Sequence, residues 1–144
     1  MNDAFRRIKL DFRSSIPIYL QIVDRVERMI TEGALKTGDQ LPTVRELATE
    51  LRVNFNTVAR AYRMLDEAGF ISTQQGRGTY IWAKPTEQES QQLRQKALDE
   101  ITRQYITQAN ALGFSNEEIT ATFQEQLRNW KNNQPVSSGS TTHI

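Results

Sequence analysis

Asn56, Arg60 and Arg63 stand at i, i+4 and i+7 within a stretch, Asn54 to Leu65, that contains no acidic residue. On a helix this spacing puts the three on one face. Asparagine and arginine present paired hydrogen-bonding groups that fit base edges, Asn to adenine and Arg to guanine, so such a face has the chemistry of base readout. Asn54 and Thr57 add polar groups at the start of the same helix, where backbone N–H groups favour phosphate. Further on, Gln75-Gly-Arg-Gly78 places Arg77 between two glycines. Glycine lets a backbone approach a partner closely, and an arginine at such a tip can reach a phosphate or a minor groove. The Gly-x-Gly has neither the rest of a dinucleotide fingerprint nor a Gly-Lys-Ser/Thr ending, which argues against a nucleotide loop.

The elements that must hold these residues can be read from capping and periodicity. Thr43 with Glu46 three residues later is a capping-box pattern, opening a short helix with Val44, Leu47, Ala48 and Leu51 on one face. Arg52-Val53-Asn54 is a three-residue turn, and Asn54 is a good cap for the next helix. Val58, Tyr62 and Leu65 form the inward face of that helix, and Gly69 ends it as a left-handed residue. Two helices joined by so short a turn cross steeply around a shared apolar centre, which is helix-turn-helix geometry. Phe70-Ile-Ser-Thr-Gln74 and Thr79-Tyr-Ile-Trp82, β-prone on either side of the glycine loop, read as a hairpin wing. A basic polar face is also what a solvated helix shows. Its place on the second helix of this motif is what gives it meaning.

Upstream, Ile8-Lys-Leu-Asp-Phe12 alternates apolar and polar residues and reads as a short strand or an extended arm. Ser15 and Pro17 open a helix whose Ile18, Ile22, Val26 and Met29/Ile30 make one apolar stripe. Downstream, Thr86 and Glu89 form a second capping pattern before Leu93, Ala97, Ile101, Tyr105 and Leu112, which recur at near-helical spacing until Gly113. Ser115 and Glu118 open a further helix with Ile119, Phe123, Leu127 and Trp130 along one edge. Two amphipathic helices of about 26 and 15 residues cannot bury both stripes against each other alone. Packing against a second copy solves this; packing back on the same chain is the competing arrangement. Residues 132–144 are polar and read as a disordered tail.

Composition excludes other classes. The 144 residues are 38% hydrophobic and 24% charged, ordinary for a globular chain though lean in apolar residues. There is no cysteine, so disulfides, thiolate metal sites and cysteine nucleophiles are out. The one histidine, His143, falls in the polar tail, and carboxylates occur as singles or as solvated pairs such as Glu117-Glu118. Neither makes an acid/base or metal constellation, so the chain does not read as an enzyme, and nothing calls for a cofactor or a metal. No run of about 18 apolar residues spans a membrane, and the basic N-terminus lacks the apolar stretch of a signal peptide. Cytoplasmic residence is therefore expected. Net charge is only +1; residues 1–82 carry 12 basic and 10 acidic side chains, and residues 83–144 carry 6 and 7. A nucleic-acid partner must be argued from local placement.

Residues 16–82 resemble the winged-helix domain of the GntR superfamily of bacterial transcription regulators. The matching pieces are Pro17-Ile-Tyr-Leu-Gln-Ile22, Gly38-Asp-Gln-Leu-Pro-Thr-Val-Arg-Glu-Leu-Ala48, Val53-Asn-Phe-Asn-Thr-Val58, Arg60-Ala-Tyr62, Glu67-Ala-Gly-Phe70 and Gly76-Arg-Gly-Thr79. The Asn-x-Asn-Thr-Val-x-Arg-Ala-Tyr pattern and the short C-terminal part are similar to the YtrA-like subfamily. The resemblance implies DNA-contact roles for Arg45, Asn54, Asn56, Thr57, Gly76 and Arg77, and a two-helix dimerisation domain at the C-terminal end. Phe55 stands where this subfamily usually has proline and other members often carry a basic residue, and Ala59 is uncharged where some relatives use arginine. Phe55 can instead touch a thymine methyl.

The expected fold is mainly α with a small β-hairpin: a winged helix-turn-helix over 1–83, a two-helix antiparallel dimerisation domain over 84–131, then the tail. The expected function is a sequence-specific regulator, a repressor, gripping an inverted-repeat operator as a homodimer. Its DNA set is Thr43, Arg45, Asn54, Phe55, Asn56, Thr57, Arg60, Arg63, Gly76 and Arg77. Its dimer set is Leu93, Ala97, Ile101, Tyr105, Leu112, Ile119, Phe123, Leu127 and Trp130. The alternative is a winged helix that serves as a protein–protein module without DNA binding. The sequence identifies no small-molecule effector.

Overall fold

A computed structural model describes residues 1–133; the expected tail from 134 onward lies outside the described residues. The element order is α1 (Asp3–Arg6), α2 (Ile18–Thr31), β1 (Gln40–Leu41), α3 (Val44–Leu51), α4 (Phe55–Glu67), β2 (Ile71–Gln74), β3 (Gly78–Ile81), α5 (Glu87–Ala111) and α6 (Asn116–Asn133). The protein is mainly helical with a three-stranded antiparallel sheet in the order β1-β3-β2. Asn132 and Asn133, read as the start of the tail, complete α6.

The chain divides into two compact units, the first Met1–Ala97 and the second beginning at Leu98, within α5. The first unit holds the core. Its centre is α2, where Leu20, Ile22, Val23, Val26 and Ile30 are almost fully buried. Val58, Ala61, Tyr62 and Leu65 of α4 and Leu47 of α3 are buried with them, and α4 packs against both α2 and α3. The apolar stripes expected on these helices are thus the core faces.

The caps decide where α3 and α4 begin. The Thr43 hydroxyl accepts the Glu46 N–H at 3.1 Å while the Glu46 carboxylate accepts the Thr43 N–H at 3.4 Å, closing the capping box. The Asn54 side chain accepts the Asn56 N–H at 2.8 Å at the start of α4. Between them Arg52 adopts a left-handed conformation, φ 56°, and its N–H bonds back to the Thr49 carbonyl. This αL residue lets α3 stop and α4 leave within three residues. At the far end of α4, Gly69 is also left-handed, and the N–H groups of Gly69 and Phe70 return to Asp66 and Leu65. That pattern satisfies carbonyls the helix end would otherwise strand.

Two features were not expected from the sequence, and one segment left with two readings takes one of them. Residues 3–6 form the short helix α1, with Phe5 fully buried, and α1 packs against α3. The Ile8–Phe12 stretch, read as a short strand or an extended arm, is not a strand and ends in a turn; Ile8 is buried and the Gln21 side chain clamps the backbone of Asp11 and Ile16. Finally, β1 pairs with β3, Gln40 opposite Tyr80 and Leu41 opposite Thr79, turning the expected hairpin into a three-stranded sheet.

The second unit is helical and buries little. Thr86 caps α5 through the Glu89 N–H, and Ser115 and Glu118 exchange both bonds of a capping box at the start of α6. α6 contains no buried residue, and α5 and α6 are not closely packed along their length. They meet at an elbow, where the Tyr105 and Phe123 rings lie 6.2 Å apart, centroid to centroid. Two residues expected at a dimer interface behave otherwise: Leu93 and Ala97 are each only 2% exposed and belong to the first unit. The two compact units meet within α5, whose opening turns hold its buried residues.

Tyr62 tests this packing. Its hydroxyl donates to the Pro42 carbonyl at 2.7 Å, tying α4 to the segment that leads into α3. Burial pushes its pKa well above the ordinary tyrosine value, and the nearby Glu46 carboxylate adds to the effect. Tyr62→Phe should lower unfolding stability at neutral pH by about 1–2 kcal/mol, the cost of a buried carbonyl left without its donor. Above the unfolded tyrosine pKa of about 10 the unfolded chain ionises while the folded one does not, so wild-type stability falls as pH rises. The variant lacks this contribution. Denaturant titrations from pH 7 to 11 should therefore show the gap between the two proteins narrowing above pH 10.

Candidate nucleic-acid interface

With α4 held on its inner side by α2 and α3, its opposite side is exposed. Asn56, Arg60 and Arg63 all lie on that exposed side, as their spacing requires. Phe55, the first residue of α4, is 50% exposed between two asparagines. Arg45 is exposed on the first turn of α3, and Ala59 and Thr57 are half-buried. The helix-turn-helix thus brings residues from the start of α3 and the outer face of α4 onto one module.

Several of these residues have structural partners already. The Thr43 hydroxyl and the Asn54 carbonyl oxygen serve as caps. The N–H of Asn56 is taken by Asn54, and that of Thr57 by the Asn54 carbonyl at 3.1 Å. The start of α4 therefore offers an anion fewer free N–H groups than its sequence implies. The Arg60 guanidinium is laid over the Tyr19 ring, with Cζ 4.0 Å from the ring centroid. Nothing in the sequence pairs Tyr19 with Arg60; they are 41 positions apart and meet only because α2 packs on α4.

The wing tip is a three-residue loop, Gln75-Gly76-Arg77, between β2 and β3. The Arg77 carbonyl accepts the Tyr80 hydroxyl at 2.7 Å and the Gln40 amide at 3.4 Å, while its N–H donates to Gln74 at 3.0 Å. The backbone of the tip is braced from both neighbouring strands and the Arg77 side chain is left exposed. β1 supplies one of these braces, and a two-residue strand is too short to show any periodicity in a sequence. Gly78 sits at φ +112°, where a Cβ would come 2.6 Å from the Gln40 amide nitrogen.

The described part of the second unit exposes large apolar side chains. Tyr105, Ile106, Leu112, Phe114, Phe123, Leu127 and Trp130 are all at least 40% exposed. At the elbow, Tyr105, Ala109, Leu112, Phe114 and Ile119 line an open apolar groove of about 290 Å³. Among the described residues there is no cluster of His, Asp or Glu able to hold a metal, and no helix is long and apolar enough to cross a membrane.

Comparison with known proteins places this architecture. Residues 18–81, from the start of α2 to the end of β3, match the family described as bacterial regulatory proteins, gntR family. A transcriptional regulator of Bacillus subtilis, YhcF, is 37% identical over 75% of this chain and 88% of its own. The chain belongs to the GntR family. Within it, the chain is similar to the transcriptional repressor YtrA of Bacillus subtilis, 51% identical over 51% of this chain and 57% of the repressor's length. Among solved structures, the GntR-family transcription factor YtrA from Sulfolobus acidocaldarius is 40% identical, covers 64% of this chain and 97% of its own, and superposes with a TM-score of 0.52. The first unit is the GntR winged helix-turn-helix, and the relatives are YtrA-like transcriptional regulators with a helical C-terminal part. These relatives are regulators, not enzymes.

The wing brace makes a direct prediction. Gly78→Ala should destabilise the first unit by about 1–2 kcal/mol, because a non-glycine residue is forced into a sparsely populated backbone region. Thermal unfolding followed by circular dichroism reads this, and an unchanged midpoint would mean that the wing relaxes freely around the added methyl.

Proposed function

We propose that the chain is a repressor that grips an inverted-repeat DNA operator as a homodimer. The observation that carries the reading is the exposed side of α4 over its first three turns, Asn56, Arg60 and Arg63, in a stretch without acids from Asn54 to Leu65 and held by a buried opposite face. In this reading α4 enters the major groove, where Asn56 and Arg63 address base edges and Phe55 meets a thymine methyl. Thr43, Arg45, Asn54 and Thr57 face the flanking phosphates. Gly76 and Arg77 reach the backbone or minor groove from the wing.

The second copy is supported by the apolar surface of the second unit. A helix such as α6, with no buried residue, gains little from tertiary packing within its own chain, and isolated helices are marginal in water. Covering Ile101, Tyr105, Leu112, Ile119, Phe123, Leu127 and Trp130 with the same surface of a partner supplies the missing burial. A two-fold dimer places two α4 helices roughly 34 Å apart, one turn of duplex, which an inverted repeat matches. A regulator of this kind works beside DNA in the bacterial cytoplasm.

Two measurements test the proposal. Selection of bound duplexes from a random pool should return an inverted repeat. Affinity for it should fall steeply between roughly 50 and 200 mM salt, and Arg45→Ala should weaken binding by about tenfold. No enrichment of any sequence would sink the operator reading and favour a protein–protein module. For the dimer, light scattering at micromolar concentration should give twice the chain mass. Phe123→Lys should shift it toward the monomer while the winged-helix unit stays folded. A wild-type monomer with both C-terminal helices formed would overturn the dimer.

A further inference from the structure

The Arg60 guanidinium lies 4.0 Å from the centroid of the Tyr19 ring, and the two residues come from different helices. Tyr19 is the second residue of α2 and only 7% exposed, so its ring is held by the core rather than by solvent. Arg60 sits on the exposed side of α4. A long exposed arginine would ordinarily sample many rotamers, and a charge held over a fixed ring selects among them. The contact also draws Arg60 toward the α2 side of α4, away from the line of Asn56 and Arg63. The flanks of a helix seated in a major groove are where the phosphate backbones run.

We propose that Tyr19 is a positioning residue, holding Arg60 on the α2-facing flank of α4 as a contact for a DNA phosphate. The inference rests on the DNA-binding reading and deepens it. It moves Arg60 from the base-reading set, where its spacing alone would put it, to the set that fixes the protein on the duplex without reading sequence. It also gives Tyr19, which need not touch DNA, a measurable share in binding.

The test uses the full chain, the duplex recovered by selection and an unrelated duplex. Affinities are measured against salt for wild type, Tyr19→Leu, Tyr19→Phe, Arg60→Ala, Arg60→Lys and the Tyr19→Leu/Arg60→Ala double variant, with folding checked by circular dichroism. Tyr19→Phe keeps the ring and should bind as wild type. Tyr19→Leu should weaken binding to both duplexes by about fivefold, the scale of a partly exposed cation–π stack. It and Arg60→Ala should each lower the log–log salt slope by about one, the signature of one lost phosphate contact. The double variant should bind no more weakly than Arg60→Ala alone. Arg60→Lys, an exposed change that leaves the fold intact even if Tyr19→Leu does not, should lose binding because an ammonium keeps the charge but not the planar stack.

Wild-type affinity in a folded Tyr19→Leu, wild-type affinity in Arg60→Lys, full multiplication of the two single losses, or a loss confined to one base pair would each overturn the inference. A wild-type chain that binds neither duplex would overturn the DNA reading and this inference with it. Unchanged binding by the variants of a chain that does bind overturns the inference alone.

Discussion

Everything on the recognition surface depends on how α4 is held from behind. Val58, Ala61, Tyr62 and Leu65 are buried against α2 and α3, and a helix anchored along one stripe has no freedom to rotate the other away. A turn of even one residue about its axis would move Asn56, Arg60 and Arg63 by about 100° and expose Leu65 or Val58 to water. Burying a side chain of that size is worth about 1.5–3 kcal/mol, so the register is set by the core and not by the polar face. The Tyr62–Pro42 hydrogen bond adds direction to this non-directional packing, because it joins α4 to the segment that starts α3.

The same logic separates the two units. In the first, a full apolar core holds a helix, a turn and a wing in fixed relation, and even the wing tip has its backbone bonded from two strands. In the second, a capping box defines where α6 begins, yet α6 has no buried residue and those of α5 all lie in the stretch that belongs to the first unit. Local signals are strong and tertiary burial is weak. The apolar side chains of the second unit are left largely exposed, whereas those of the first are gathered into a core.

How much was legible depended on whether the deciding interaction was local. Thr43 with Glu46, Asn54, and Ser115 with Glu118 announced their helices because a cap is a contact between residues two or three apart. Gly69 announced the end of α4 for the same reason. Phe5 in α1 did not, since a four-residue helix shows no periodicity and is secured by packing on α3. β1 is two residues long and exists only because β3 runs beside it. Leu93 and Ala97 share one stripe with Tyr105 and Leu112, and periodicity alone cannot say which part of a long stripe stays inside the chain. Arg52 carries no residue-type signal for its left-handed backbone, because glycine or asparagine is the usual choice there.

By itself the sequence determined the kinds of element, their order and the residue types available to meet DNA, because capping, periodicity and charge act over a few neighbouring positions. It also determined that the stretch from Asn54 to Leu65 has no acid to repel a phosphate. Tertiary structure decided which of those residues are already committed. Thr43 and Asn54 are caps, Leu93 and Ala97 lie within the first unit, and Arg60 rests on Tyr19. Each of the last three depends on parts of the chain remote in sequence being brought together by burial, and no local rule of spacing contains that information.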